Sequence, residues 1–195
     1  MMAEDTDEIR KKIKKELDRS RYQHTLGVAY TAAALAMRYR QDIEKAYLAG
    51  LLHDCAKCIP TDKKFELCEK YDISLTDSEK ENPALIHAKL GAYLAKSQYG
   101  IDDEDIIASI RTHTTGDVGM SMLQKIIFTA DYIEPQRDQA PNLCEIRQMA
   151  FTDIDRAIVR ILSDTLDHLN QKSAAVDPKT RETYEYYLSL TDNGS

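Results

Sequence analysis

Apolar residues recur every three or four positions along most of the chain. In one stretch His24, Val28, Ala32 and Leu35 follow at this spacing, which places them on one face of an α-helix. The sequence has no alternating strand pattern of useful length and no internal repeat, and it is poor in glycine (7) and proline (5). The pattern therefore predicts an all-α protein.

Residues that favour helix ends predict where the helices begin and stop. The signals are N-cap side chains, capping-box sequences, a proline suited to the first helical position and a glycine suited to a helix end. The N-cap candidates are Ser20, Asp42 and Asp177, and the capping-box candidates are Thr76–Glu79 and Asn142–Glu145. Pro83 is the candidate for a first helical position, and Gly100 is the candidate for a helix end. The expected helices cover about residues 7–18, 82–100, 102–111, 120–132 and 143–170, with others that begin after Ser20, Asp42 and Asp177.

The length of 195 residues suits one domain with a substantial core. No stretch has the composition of a linker. We therefore expect residues 1–195 to form a single-domain helical bundle, in which the helices of residues 143–190 complete the bundle.

Charge and hydropathy restrict the classes of partner. The net charge is −7, from 33 acidic and 26 basic residues, which disfavours a broad nucleic-acid-binding face. The longest mostly apolar stretch, Leu26 to Met37, is too short for the ~20 residues that span a bilayer. The N-terminal residues alternate acidic and basic side chains and lack an apolar signal core. These features predict a cytoplasmic protein without membrane association.

The cysteines are expected to be reduced and structural. Cys55 and Cys58 have CxxC spacing, but no second close pair of cysteine or histidine residues completes a zinc knuckle. Cys68 and Cys144 stand apart. Free cysteine is commonly buried in protein cores.

Four of the five histidines fall on apolar helical stripes, where polar side chains are costly to bury without a partner. A single such histidine is usually a hydrogen-bonded core residue, but its recurrence on separate helices favours a shared cause. Metal ions in the interior of a helical bundle supply that cause. The candidate ligands are His24, His53, Asp54, His87, His113 and Asp131. We leave out His168, because it suits the C-terminal end of a helix.

The candidate ligand set indicates the type of metal. Four imidazoles and two carboxylates are too many for one tetrahedral zinc ion. Imidazole and carboxylate ligands suit iron, manganese, cobalt or zinc. Six such ligands with a bridging carboxylate fit two divalent ions whose octahedral coordination is completed by water.

The order of these residues resembles the H…HD…D signature of the HD-domain metal-dependent phosphohydrolases, in the variant that holds two metals. The chain is most similar to the bacterial YqeK branch. The matching motifs are "SRYQHTLGVAYTAAALA" (20–36), "KAYLAGLLHDCAK" (45–57), "IHAKLGAYLAK" (86–96), "IRTHTTG" (110–116) and "FTADYIEPQR" (128–137). The metal and phosphate motifs thus lie within residues 20–137.

The resemblance implies a symmetrical diadenosine tetraphosphate hydrolase that releases two ADP and carries a di-iron centre. It implies that His24, His53, Asp54 and Asp131 hold one iron, and that Asp54 bridges to a second iron held by His87 and His113. The chemistry we expect is attack on a β-phosphorus by hydroxide activated at the two metal ions. We assign catalytic roles to Asp54, Lys57, His87 and His113.

The substrate-binding candidates are either candidate ligands themselves or residues near them in sequence. Arginine and lysine at such positions suit phosphate groups and match the family pattern. Thr114 and Thr115 either bond a phosphate oxygen or cap a helix end. In the family the loop before the last helix lies near the nucleotide, which corresponds here to Ala174–Lys179. The assigned substrate-binding residues are Arg21, His24, Lys57, His87, His113, Thr114 and Arg137.

Two alternatives stay open at this point. The first is an HD-type phosphohydrolase of another nucleotide; a "GYP" tripeptide near the metal motifs, expected of the cyclic-dinucleotide branch, is absent from the sequence. The second is a non-catalytic nucleotide-binding module with structural metals, against which the intact ligand set counts. The expected partner is a dinucleoside polyphosphate or ADP, and a homodimer through an exposed helix face is compatible with the sequence.

Overall fold

The computed structural model describes residues 3–172 and 175–192, with side chains from residue 6 to 172 and from 175 to 191. Within these ranges the chain forms eleven α-helices and no strand, which confirms the all-α prediction. The helices are α1 (Ala3–Glu16), α2 (Arg19–Tyr39), α3 (Ile43–Leu52), α4 (Thr61–Lys70), α5 (Asp77–Glu81), α6 (Ile86–Tyr99), α7 (Glu104–Thr112), α8 (Met122–Ile133), α9 (Leu143–Ala150), α10 (Ile154–Gln171) and α11 (Pro178–Asp192).

The centre of the bundle consists of α2, α3, α7 and α8, because α3 and α8 each contact both α2 and α7. On one side α6 packs on α7, and on the other α10 packs on α8 and carries α11. One continuous cluster of buried apolar side chains runs from Ile9 in α1 to Tyr187 in α11. The Tyr187 hydroxyl is satisfied inside this core, since it accepts a hydrogen bond from the Met120 amide at 3.0 Å.

The two helices that carry His24 and His53 approach each other closely at Gly50. A Cβ atom at Gly50 would lie 2.8 Å from the Ala29 Cα atom of α2, so only glycine allows this backbone separation. The contact sets the spacing between the two imidazoles, whose ring centroids are 5.4 Å apart.

Several predicted helix ends are confirmed. The Asp42 carboxylate accepts a hydrogen bond from the Lys45 amide at 3.0 Å, as an N-cap does. Thr76 and Glu79 form the reciprocal capping box. Gly100 ends α6 in the left-handed conformation, at φ 68°. The Asp177 carboxylate accepts from the Lys179 amide at 2.8 Å where α11 begins.

Other boundaries were wrong. Asp18, not Ser20, caps α2, because its carboxylate accepts from the Arg21 amide at 2.8 Å. Pro83 belongs to a turn, and α6 begins only at Ile86. Asn142 precedes α9 at φ 56° without a side-chain cap. Its amide donates instead to the buried Asp164 carboxylate.

The expected helix over 143–170 is two helices, and α4 was not predicted at all. Asp153 interrupts the long segment, because its carboxylate caps α10 through the Arg156 amide at 3.1 Å. The chain turns between Ala150 and Ile154, which lets α9 and α10 both pack against α8. None of the helices within the described ranges is long and apolar enough to cross a membrane.

All four cysteines are free. Cys55 and Cys68 are buried in the core, as expected. The expectation was wrong for Cys58 and Cys144, which are exposed and therefore do not fill the core.

Candidate metal centre

The structure brings all six candidate ligands into one cluster in the middle of the bundle. They come from α2, the turn after α3, the first turn of α6, the C-cap of α7 and the last turns of α8. Five of them are buried, and Asp131 has a side-chain exposure of 21%. Residues separated by more than a hundred positions in the sequence therefore share one polar site inside an apolar core.

Asp54 lies at the centre of this cluster, and its two oxygens face different histidines. Oδ1 lies 3.1 Å from His87 Nε2 and 3.6 Å from His113 Nε2. Oδ2 lies 3.5 Å from His53 Nε2 and 3.9 Å from His24 Nε2. A carboxylate with this orientation is suited to bridge two cations, one on each side.

Asp131 closes the side of the cluster that contains His24 and His53. Its Oδ1 atom lies 3.0 Å from His24 Nε2 and 3.9 Å from His53 Nε2. Two groups of potential ligand atoms therefore share His53. The first group is His24, His53 and Asp131. The second group is His53, Asp54 and His113. Within each group the potential ligand atoms lie within 4.8 Å of one another.

Every imidazole in the cluster has its Nδ1 atom engaged away from the centre. His53 Nδ1 donates to the Gly50 carbonyl at 2.7 Å, and His113 Nδ1 donates to the Ile110 carbonyl at 2.7 Å. His87 Nδ1 donates in the same way to the Ala84 carbonyl. These bonds fix the tautomer and direct the lone pair of each Nε2 atom toward Asp54, as is usual for metal-ligating histidine.

The protonation states suit a cation. Burial raises the pKa of Asp54, but interactions with His53, His113 and His87 outweigh it and hold that pKa well below its usual range. Asp131 behaves alike: burial raises its pKa, but interactions with His24, His53 and His113 together outweigh it and hold that pKa well below its usual range. Burial lowers the pKa of His87 to about 4 in spite of the neighbouring Asp54, so its imidazole is neutral at pH 7. Ionised carboxylates and neutral imidazoles are the forms that bind metals.

Buried polar atoms without hydrogen-bond partners are a second, independent observation that the residues fit a metal. Three buried atoms directed into the cluster lack a hydrogen-bond partner among the described residues: His24 Nε2, His53 Nε2 and Asp54 Oδ1. Buried polar atoms of this kind normally find partners, because leaving them unpaired costs about 1–3 kcal/mol each. Divalent cations bound between these atoms would satisfy them.

Three cationic side chains lie at the rim of the cluster. Arg21 Nη1 lies 2.8 Å from Asp54 Oδ2, and Arg137 Nη2 lies 2.9 Å from Asp131 Oδ1. Lys57 Nζ lies 3.3 Å from His87 Nε2. Each of the three predicted phosphate-contacting cations therefore touches a candidate ligand, which places it within reach of a group bound at the cluster.

Thr114 and the segment before α11 face a common cavity of about 180 Å³ next to His113. Thr115, Asp177 and Lys179 also line it. The C-cap of α7 is His113, the Thr115 hydroxyl donates to the adjacent Gly116 carbonyl, and the Gly116 amide donates to the Thr112 carbonyl. A second, separate cavity of about 250 Å³ is lined by Arg21, His24 and Arg137 among others. Ala174 lies outside the described residues.

Sequence reasoning missed two residues that support the cluster. Glu134 is buried, and its Oε1 atom lies 3.0 Å from His24 Nδ1. Arg147 of α9 donates to the carbonyls of Ile133, Glu134 and Arg137 at 2.9 Å each, and so holds the turn that follows α8. The position of Glu134, one helical turn after Asp131, was the available sequence signal for its role. His168, which we left out, is exposed on α10.

A family model described as HD domain matches residues 21–136, more than half of the chain and all six clustered residues. The chain belongs to the HD-domain family. HD-domain hydrolases bind divalent metal ions, and the groups of histidine and aspartate described above could hold them. The assignment drawn from the motifs is therefore confirmed.

The HD-domain relatives extend over nearly the whole chain. A Bacillus subtilis (strain 168) protein named bis(5'-nucleosyl)-tetraphosphatase, symmetrical, is 41% identical over 179 residues, which cover 91% of this chain and 94% of that relative. A Staphylococcus aureus protein of the same name is 37% identical, over 89% of this chain and 90% of the relative.

The HD-domain fold is also found in a crystal structure from Clostridium acetobutylicum, described as a predicted HD superfamily hydrolase involved in NAD metabolism. That chain is 40% identical to this one, with a TM-score of 0.91. The similarity covers 94% of this chain and 97% of that one.

Proposed function

We propose that this protein is a symmetrical bis(5'-nucleosyl)-tetraphosphatase, which hydrolyses diadenosine tetraphosphate to two ADP. The observation that carries the proposal is the convergence of four imidazoles on the two oxygens of Asp54, in a chain 41% identical to a relative of that name. Phosphoanhydride hydrolysis requires an activated water and neutralisation of phosphate charge. Both requirements match a site of imidazoles, carboxylates and rim cations.

The residues would hold two divalent ions. His24, His53, Asp54 and Asp131 would bind one ion, and Asp54, His87 and His113 would bind the other. When bound, such a pair lowers the pKa of a water and polarises phosphoryl oxygens. Iron is our proposed metal, because imidazole and carboxylate ligands with open positions suit it, although manganese, cobalt or zinc also accept these ligands.

The chain's own contribution is to bind and orient the tetraphosphate. Arg21 and Arg137 would contact phosphate oxygens on one side of the cluster, and Lys57 would contact them beside His87, since guanidinium and ammonium groups bind phosphate strongly. Lys57 also lies where it can stabilise the negative charge that develops on the leaving ADP. Attack at a β-phosphorus then breaks the anhydride bond to the neighbouring β-phosphate and yields two equal products.

Two separate cavities near the candidate ligands support a substrate with two nucleoside ends. One is lined by Arg21 and Arg137, and the other by Thr114 and Lys179. We propose that each receives one half of the dinucleotide, so that the middle of the tetraphosphate lies over Asp54. A cytoplasmic location and a homodimer stay predictions of the sequence.

The test is product analysis with purified protein and ferrous or manganous ion. Diadenosine tetraphosphate should give ADP as its sole nucleotide product, and hydrolysis in ¹⁸O-water should label the β-phosphate of half of the ADP. ATP plus AMP would contradict symmetrical cleavage. Binding of metal and dinucleotide without turnover would support the non-catalytic module instead.

A further inference from the structure

The buried carboxylate of Glu134 faces His24, which alone among the four clustered imidazoles has no hydrogen bond from Nδ1 to a carbonyl three residues earlier. His53 and His113 are C-cap residues, and His87 follows a turn, so each donates Nδ1–H to a carbonyl three residues earlier. His24 instead lies inside α2, which continues to Tyr39. Carbonyls inside a helix already accept helical hydrogen bonds, so His24 Nδ1 needs an acceptor from another element.

Glu134 supplies that acceptor from the end of α8. Its Oε1 atom lies 3.0 Å from His24 Nδ1, while its Oε2 atom accepts from the Gln136 amide at 2.8 Å. The residue is 1% exposed, and no lysine or arginine among the described residues forms an ion pair with its carboxylate. A buried carboxylate is costly without a charged partner, so its place beside His24 is a specific arrangement.

The surrounding chain is shaped to admit this carboxylate. Any Cβ atom at position 27, one turn after His24 on α2, would overlap Glu134 Oε2, and Gly27 avoids this. On the other side Arg147 donates to the Glu134 carbonyl at 2.9 Å and fixes the turn that carries it. Two elements besides α8 thus determine where the carboxylate lies.

We infer that Glu134 is a positioning residue, which holds His24 in the Nδ1–H form and directs its Nε2 lone pair toward the metal site beside Asp131. Carboxylate–histidine–metal arrangements orient the ring and raise its basicity as a ligand. His24 is the only imidazole of the four that has such a carboxylate among the described residues. The inference rests on the proposed metal site, on which Glu134 would act through His24.

The test compares E134Q with wild-type protein. Glutamine keeps the volume and an acceptor oxygen but removes the charge. Removing the hydrogen-bond partner of a metal-ligating histidine typically weakens metal affinity 10- to 100-fold. We therefore expect E134Q to keep its helical circular dichroism, to lose affinity for one of two ions by about that factor, and to lose kcat with an unchanged KM for the dinucleotide. Excess metal should restore most of the lost kcat.

Two further variants separate positioning from stability. G27A should displace the Glu134 carboxylate and weaken the same metal site, although residue 27 has no ligand atom. D164N removes another buried carboxylate, which pairs with Asn142 away from the cluster, and should leave metal affinity unchanged. Long-range ¹⁵N spectra of the metal-free protein at alkaline pH should show His24 as the Nδ1–H tautomer in wild type and a mixture in E134A.

Two failures are distinguishable. Wild-type protein that binds no divalent ion would overturn the metal site itself. Wild-type protein that binds two ions, with E134Q and G27A binding them equally tightly and with unchanged kcat, would overturn the role of Glu134 alone.

Discussion

The Nε2 atoms of His87 and His113 lie 3.0 Å apart. Each ring donates its Nδ1 proton to a backbone carbonyl, so both Nε2 atoms face each other with lone pairs. Two lone pairs at this distance repel unless a cation lies close to both. The bundle therefore contains a local arrangement that a bound cation stabilises.

Metal removal should destabilise the fold. A ligand that binds only the folded state at a hundred times its Kd stabilises it by ~2.7 kcal/mol. We expect the Tm measured by calorimetry to fall when a chelator strips divalent ions and to recover when ferrous or manganous ion is returned. H53A, which lacks a ligand of one of the two proposed ions, should show a smaller metal-dependent change in Tm. An unchanged wild-type Tm would contradict metal binding at these residues.

D54N should remove the carboxylate that is proposed to bridge the two metal ions. Asparagine keeps the shape of the side chain but replaces one carboxylate oxygen by an amide that cannot bind a cation. Because bound ions contribute several kcal/mol to the transition state, we expect kcat to fall roughly a thousandfold. Metal analysis should find at most one ion per chain. The matched control is H168A, since His168 is an exposed histidine outside the cluster; comparable losses in both variants would argue against a special role for Asp54.

R21A tests substrate binding at the rim. Arg21 contacts Asp54 with a side chain that is 30% exposed, so it can turn toward a phosphate. Loss of one charge-assisted hydrogen bond of about 1.5–3 kcal/mol should raise KM on the order of tenfold or more, with metal content retained. R156A, which removes an exposed arginine paired with Asp153 on α10, should leave KM unchanged. An R21A enzyme with normal kcat and KM would exclude Arg21 from the substrate site.

Glycine substitutions test the packing that positions the ligands. G50A gains helix propensity but forces a methyl group against the α2 backbone, and overpacking of this kind costs about 1–3 kcal/mol. G91A is the matched control in α6. Its Cβ atom would meet Cys55 Sγ at 3.4 Å, an ordinary contact, so it should be neutral or stabilising. Chemical denaturation of both variants measures the difference, and equal stabilities would contradict the close α2–α3 approach.

The candidate site was more predictable than the ends of the helices. The histidines could be recognised as candidate ligands because they recur on the apolar faces of separate helices, which favours a shared ligand. His53 and Asp54 stood out for the same reason. Glu134 did not, since a single acidic residue beside Pro135 at the end of a helix looks like a solvent-exposed cap.

The errors in helix boundaries arose where tertiary contacts decide between neighbouring candidates. Asp18 and Ser20 are both good N-caps, but Asp18 caps α2 and its carboxylate also accepts a hydrogen bond from Cys58 Sγ at 3.5 Å. Asn142–Glu145 has the sequence of a capping box, yet the Asn142 side-chain amide donates to the buried Asp164 carboxylate instead. Such choices depend on residues more than twenty positions away, which local pattern reading does not include.

Asp131 occupies a late position in the chain, after all the other clustered residues. During synthesis the earlier imidazoles leave the ribosome first and have no complete set of neighbours until α8 follows them. The ligand set proposed for the metal is therefore incomplete until α8 has been made, and Arg147, which holds the turn beyond α8, emerges later still. Metal binding by the full proposed ligand set would consequently require the assembled bundle rather than the growing polypeptide.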